Sequence, residues 1–270
     1  NGAPADRVVP QLARALLLSG QGEVLQGQFG QEKLSDANAQ ASLKATLALA
    51  LMKQGNLKDA EAAVDDALKA APEHPAALLM QARLVAVNGD VPRATTLVDA
   101  LLAKHPRDVE ALALRGDLWL RQADGREQAR KTFERALEID PHHIYALANV
   151  ISLHIAQGDL EAARKWQQQL RQIGPNLLVT GQQEATLAYA LGEHARAREV
   201  FQSLLRAAPD NVTLLLLTGQ NELRLGSPVQ AEAMFSKALA LQPRNDVARR
   251  LVAHAQLALG QVQKALNNLA

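Results

Sequence analysis

Six prolines, Pro72, Pro106, Pro141, Pro175, Pro209 and Pro243, follow one another at intervals of 34, 35, 34, 34 and 34 residues. A near-constant period of that length means that one supersecondary unit is repeated. Such a chain buries its apolar surface by stacking copies rather than by closing a single globular core. Proline lacks a backbone N–H and cannot continue a helix, so each of the six marks a place where a helix has ended.

A second set of residues keeps the same phase. Gly55, Gly89, Gly125, Gly158, Gly192, Gly226 and Gly260 fall where the first helix of each unit should end, and each is expected to be the left-handed residue that closes it. About five residues later comes Ala60, Ala94, Ala129, Ala163, Ala197, Ala231 or Ala265, and seven further on Ala67, Leu101, Ala136, Leu170, Leu204 or Ala238. The first helices carry their own small position at Ala48, Ala82, Gly116, Ala185, Gly219 and Ala253; the second helices carry a bulky wedge at Val64, Val98, Phe133, Phe201 and Phe235. Small residues let paired helices approach to the short end of the usual ~8–10 Å separation. Composition agrees: the chain is 48% hydrophobic but only 3% aromatic, so its apolar content is mostly Ala and Leu, both strong helix formers.

This pattern resembles the tetratricopeptide repeat (TPR) family over residues 41–270. The resemblance implies an all-α, right-handed α-solenoid of helix–turn–helix repeats, about seven plus a degraded N-terminal unit. The units read 41–74, 75–108, 109–143, 144–177, 178–211, 212–245 and a truncated 246–270, with residues 1–40 as the degraded one. There Ala13 takes the small position, Gly20 the turn, and Pro10 stands near the helix start. The extra residue of unit 109–143 is placed in the Ala123-Asp124-Gly125 turn. Unit 144–177 departs from the pattern, with Ile151 at the small position and Gln167 at the wedge beside Trp166; Gly174-Pro175 and Gly181 follow. The junction of this unit with the next is therefore expected to be the least tightly packed, unless Trp166 supplies the wedge from one position away.

Several kinds of chemistry find no support. The net charge of +1 points to neither nucleic acid nor a membrane surface, and the longest apolar run, Ala45 to Met52, is far short of the ~20 residues of a span. With no cysteine there is no disulfide, thiol nucleophile or cysteine metal site. His74, His105, His142 and His143 fall at inter-repeat turns a unit apart, too far to share an ion whose ligands lie about 2 Å away, while His154, His194 and His254 are isolated. All seven are expected to be turn or surface residues. Asp65-Asp66 lies on a second helix facing solvent, without the shaped pocket that general acid–base work needs. No phosphate loop or nucleophile elbow occurs. Neither an enzyme nor a cofactor is expected.

In TPR arrays the first helices line an inner groove. Carried onto this chain, one groove row reads Leu49, Arg83, Asp117, Ser152, Thr186, Gln220, His254, and a neighbouring row Met52, Ala86, Leu120, Ile155, Tyr189, Leu223, Leu257. A third holds Lys53, Arg121 and Arg224, with Glu110, Tyr145, Gln182 and Arg250 at other inward positions. A polar ladder beside an apolar one suits a protein or peptide segment, which needs hydrogen-bond partners and side-chain pockets. The alternative is that these residues only keep the inner surface solvated, with Arg83 and Asp117 as a local pair. The asparagine-and-lysine row by which some TPR domains clamp chaperone tails is not present.

Two segments narrow the resemblance: Val8-Val9-Pro10-Gln11-Leu12-Ala13-Arg14-Ala15-Leu16-Leu17 with Gly20, and Val247-Ala248-Arg249-Arg250-Leu251-Val252-Ala253 through Leu259-Gly260-Gln261 and Lys264-Ala265-Leu266. Both look like the TPR-repeat lipoprotein of the PEP-CTERM/exosortase system, which accompanies exopolysaccharide genes in Gram-negative bacteria. That implies a periplasmic, lipid-anchored interaction scaffold whose anchoring cysteine would lie upstream of Asn1. A glycan-binding groove using Tyr145 and Tyr189, or a cytoplasmic assembly module, are the other readings. An array cut at Ala270 leaves an apolar face, for which self-association or further repeats are expected.

Overall fold

The structure, a computed structural model, describes residues 4–269. Within that range the chain is all helix, with no strand among the described residues. It divides into two compact units, one ending at Pro141 and the other beginning at His142. In the first unit the helices pair as α1 (Ala5–Leu18) with α2 (Gly22–Phe29), α3 (Ala37–Lys53) with α4 (Leu57–Ala70), α5 (Pro75–Val87) with α6 (Val91–Lys104) and α7 (Val109–Leu120) with α8 (Arg126–Ile139). In the second they pair as α9 (Ile144–Gln157) with α10 (Leu160–Ile173), α11 (Leu178–Ala190) with α12 (His194–Ala207), α13 (Val212–Arg224) with α14 (Pro228–Leu241) and α15 (Asp246–Ala258) with α16 (Val262–Leu269). The division falls one repeat before the junction that Gly174 and Gly181 suggested.

The prolines act through the turn that joins one pair to the next. In the turns of Pro72, Pro106, Pro175, Pro209 and Pro243 the residue two beyond the proline closes the turn, as His74 N to Ala71 O (3.1 Å) and Asn245 N to Gln242 O (3.0 Å). Proline thus holds the second position of a β-turn, where its fixed φ is already correct. At several helix starts the residue before the helix also caps it. Side-chain oxygens of Asp36, Asp108, Asn211 and Asn245 accept from the backbone N–H three residues on, satisfying a donor that the helix cannot.

Within each unit, cores are shared between a pair and the first helix of its neighbour. Ala48, Ala60, Val64 and Ala67 of α3 and α4 pack with Ala77, Met80 and Leu84 of α5. Ala82, Ala94, Val98 and Leu101 pack with Ala111, Leu114 and Leu118 of α7. In the second unit, Ala185, Ala197 and Phe201 pack with Leu214 of α13, and Phe235 packs with Val252 and Ala255 of α15. Two helices alone leave such a face wet; the third covers it, and each large side chain so buried contributes about 1.5–3 kcal/mol. The N-terminal segment obeys the same rule, since Ala13, Leu17 and Leu25 close against Leu43, Leu47 and Ala50 of α3.

Glycine serves two purposes here. Gly55, Gly89, Gly158, Gly192, Gly226 and Gly260 have positive φ at the ends of first helices, and Gly20 does the same after α1. Gly125 does not. Its φ is −83°, it precedes α8, and a Cβ there would lie 1.8 Å from the Trp119 carbonyl oxygen. The residue expected to be left-handed is glycine instead because backbone passes against it, in the one turn lengthened to five residues, 121–125. Pro10 likewise lies deeper than the helix start, inside α1, where it withholds a donor from the Asp6 carbonyl.

In the departing repeat, Ile151 is fully buried and Gln167 is buried at the wedge position, while Trp166 is half-buried. Gln167 itself thus fills the wedge position, with its Nε2 buried and without a hydrogen-bond partner. Gly181 is no gap either, because a Cβ on it would meet Leu204 at 2.7 Å. The expected open end at Ala270, like Asn1, Gly2 and Ala3, lies outside the described residues; α16 itself carries exposed Val262, Leu266 and Leu269.

Candidate protein-binding surface

In the first unit, α5 starts after the Pro72 turn and α7 after the Pro106 turn and the Asp108 cap, which brings Arg83 and Glu110 together. Arg83 Nη2 donates to Glu110 Oε2 at 2.5 Å. The carboxylate seen on Arg83 is Glu110, where the pattern had suggested Asp117 as a local partner. Arg121 donates from Nη1 to the Ala86 carbonyl at 2.6 Å, placing a cation on one of the last carbonyls of α5, where the helix dipole favours it. Beside these groups, first helices and α1 enclose a mainly apolar cavity of about 480 Å³ lined by Leu17, Thr46, Leu49, His74, Met80 and Arg83, with Glu110 at its edge. Its size is that of an ordinary ligand pocket, about 300–1,000 Å³. His74 Nδ1 and Arg83 Nε are buried there without a hydrogen-bond partner, and burial pushes the His74 pKa down.

In the second unit, Tyr189 of α11 accepts from Arg224 Nε of α13 at 3.2 Å, a bond that raises the pKa of Arg224, and its ring meets His194 edge-on at 5.3 Å. Ser152 bonds Gln183 Nε2 at 3.1 Å, so the glutamine engaged is the neighbour of the Gln182 expected from the pattern. Thr186 spends its hydroxyl on the Gln182 carbonyl at 2.8 Å. Gln220 is half-buried, Tyr145 is half-exposed, and Arg250 and His254 are exposed. Of the apolar row, Leu257 is half-exposed and Ile155 and Leu223 are partly covered. The inward positions thus hold inter-helix polar links at Arg83–Glu110, Arg121–Ala86, Ser152–Gln183 and Tyr189–Arg224, beside exposed side chains such as Arg250 and His254.

The reading of every histidine as a turn or surface residue needs correction. His154 lies inside α9, 6% exposed, with Nδ1 3.4 Å from Asp159 Oδ2, and His194 packs on Tyr189 while its Nδ1 meets Asn221 Oδ1 at 3.2 Å. A polar group missed altogether surrounds α13. Asn221 is fully buried and donates to the His194 carbonyl; Glu222, 4% exposed, takes two bonds from Arg198, which also donates to Ser227. These bonds hold the Arg198 pKa above its ordinary value. The signal was in the repeat itself: where Asn221 stands, other units have Leu84, Leu118, Leu153 and Leu187. No group of three or more His, Cys, Asp or Glu able to hold a metal ion occurs among the described residues.

A tetratricopeptide repeat model matches residues 45–99, 79–144 and 183–246, more than half of the chain, and a second model of that description matches 120–179. The chain belongs to the tetratricopeptide repeat family. Human protein O-mannosyl-transferase TMTC3 is 28% identical over 114 residues, 42% of this chain and 12% of that protein, so the chain spans a small part of this relative. A tetratricopeptide repeat protein from Parabacteroides merdae superposes with a TM-score of 0.63 at 20% identity, covering 93% of this chain and 99% of that one. Pseudomonas aeruginosa pilF superposes with a TM-score of 0.64 at 17% identity, covering 82% and 98%. These likenesses show the fold, an α-solenoid of TPR helix pairs, and a family whose fold suggests protein interaction. No described helix is long and apolar enough to cross a membrane.

Proposed function

We propose that this chain is a non-enzymatic scaffold that holds segments of partner proteins along its first helices. We further propose that it serves an exopolysaccharide-associated, PEP-CTERM-type sorting system in the Gram-negative envelope, as a lipid-anchored periplasmic protein. The observation that carries the binding role is the cavity of about 480 Å³ beside Arg83, where an apolar floor meets polar side chains at its edge. An apolar side chain of a partner gains burial there, and its backbone finds donors and acceptors at the rim. The envelope assignment rests on the opening and closing segments of the sequence.

Tyr189 argues against the glycan reading, because its hydroxyl is taken by Arg224 and its ring is packed against His194 in a T-shaped contact. A sugar platform wants an open aromatic face. The test is recovery of partners from native envelope on wild-type protein and on Arg83→Ala, Gln182→Ala and Arg224→Ala variants. Loss of one or more specific partners from the variants is expected. Identical partners on all four proteins would remove the groove assignment, and native protein found only in the cytosol would remove the envelope one.

A further inference from the structure

On the second-helix side of the second unit, α12 and α14 flank a cleft of about 530 Å³ whose floor is α13. Its walls are Arg198, Gln202 and Arg206 from α12 and Gln230 and Met234 from α14; Thr218 and Glu222 form the floor. The residues on each wall recur every four positions, so each wall is one helix face.

Two other repeats place longer, paired side chains at the matching positions. Where Thr218 and Glu222 stand on α13, α7 has Arg115 and Trp119, stacked at 4.0 Å with Arg115 paired to Asp99 at 2.6 Å. On α11, Glu184 takes Arg196 at 3.0 Å. On α13 the short Thr218 turns its hydroxyl back to the Leu214 carbonyl, and Glu222 is drawn to Arg198. Neither projects outward, and the cleft stays open.

The charges left over define what fits. Arg198 and Glu222 neutralise each other, with Ser227 completing the arginine's bonds. Arg206 has no partner among the described residues, nor do the Gln202 and Gln230 amides on opposite walls. The cleft therefore offers one uncompensated cation, two amides able both to donate and to accept, and apolar contact from Leu205 and Met234. We propose that this cleft is a second binding site, separate from the first-helix surface, for a peptide segment bearing one acidic side chain. Arg206 takes the carboxylate, and Gln202 and Gln230 bond the flanking backbone. A guanidinium binds carboxylate through paired N–H donors, which makes it the natural anchor for such a segment.

The test is panning a random peptide display library over the wild-type protein, with counter-selection on Arg206→Glu. Arg206 is exposed, so the variant should fold, and circular dichroism checks this. Surviving peptides are expected to share an Asp or Glu. Changing it to the amide, or Arg206 to Ala, should weaken binding about tenfold, the effect of losing one charged hydrogen bond. Gln202→Ala and Gln230→Ala should weaken it less, and Arg83→Ala and Arg224→Ala not at all. No peptide surviving counter-selection, or amide forms that bind as tightly, would overturn the site and leave the first-helix reading untouched.

Discussion

At the position before each first helix, Asp36, Asp108, His143, Asn211 and Asn245 accept a bond from the helix, whereas His74 and Leu177 accept none. His74→Asn should therefore gain a cap and raise stability by about 1 kcal/mol at pH 7, read from urea unfolding. It should also change the pH response. Burial lowers the His74 pKa, so the unfolded chain binds more protons than the folded one between the folded pKa and the ordinary 6.5. Stability from this group is complete above 6.5 and falls as pH drops through the folded pKa. In His74→Asn that slope should flatten; an unchanged slope would show that other groups dominate. Gly116 is a second test, because a Cβ there would meet the buried Phe133 ring at 2.5 Å. Alanine gains about 1 kcal/mol of helix preference, but overpacking costs about 1–3 kcal/mol. A net loss is expected for Gly116→Ala, partly restored by Phe133→Leu. Gly116 could be read from the sequence as a small residue opposite a large one. Gly125 could not, because its clash is with the backbone of Trp119, and a periodic pattern shows side chains only.

Between helices, the second unit replaces apolar contact with a buried ion pair. Arg198→Met leaves the Glu222 carboxylate buried and alone, and should cost about 3 kcal/mol, near the low end for such pairs because Arg198 is one-third exposed. The double variant Arg198→Met/Glu222→Leu should recover most of that loss in thermal unfolding. If it does not, the pair stabilises by more than mutual compensation. Helix order, turns and shared cores were legible because each depends on a residue that recurs in phase. The binding surface was less so. Arg83 was placed correctly on its helix, yet its partner is Glu110, 27 residues on. Which of two nearby carboxylates an arginine reaches depends on rotamers and crossing angle, and neither is written in a period. Ile151 and Gln167 show the same limit: the sequence marked the anomaly, but only packing revealed that both side chains are buried.

For the whole chain, cores shared only between neighbours imply that stability is a sum of local terms. Gly116→Ala should therefore accelerate hydrogen exchange in α7 and α8 while the amides of α13 and α14 keep wild-type protection. Uniform acceleration over both units would mean a single cooperative transition instead. The period of the prolines identified the family, and no periodic signal marked the division at Pro141. One feature limits how such an array can change over time. Wedge and small residue pair within a repeat, as Phe235 with Gly219, whereas Arg198 pairs with Glu222 and Glu232 with Gln256 across the next boundary. A gene rearrangement that duplicated or reordered repeats would keep Phe235 beside the Gly219 of its own repeat. It would also strand Glu222 beside whatever replaced Arg198, so the order of these repeats is inherited as a set of matched edges rather than as interchangeable modules.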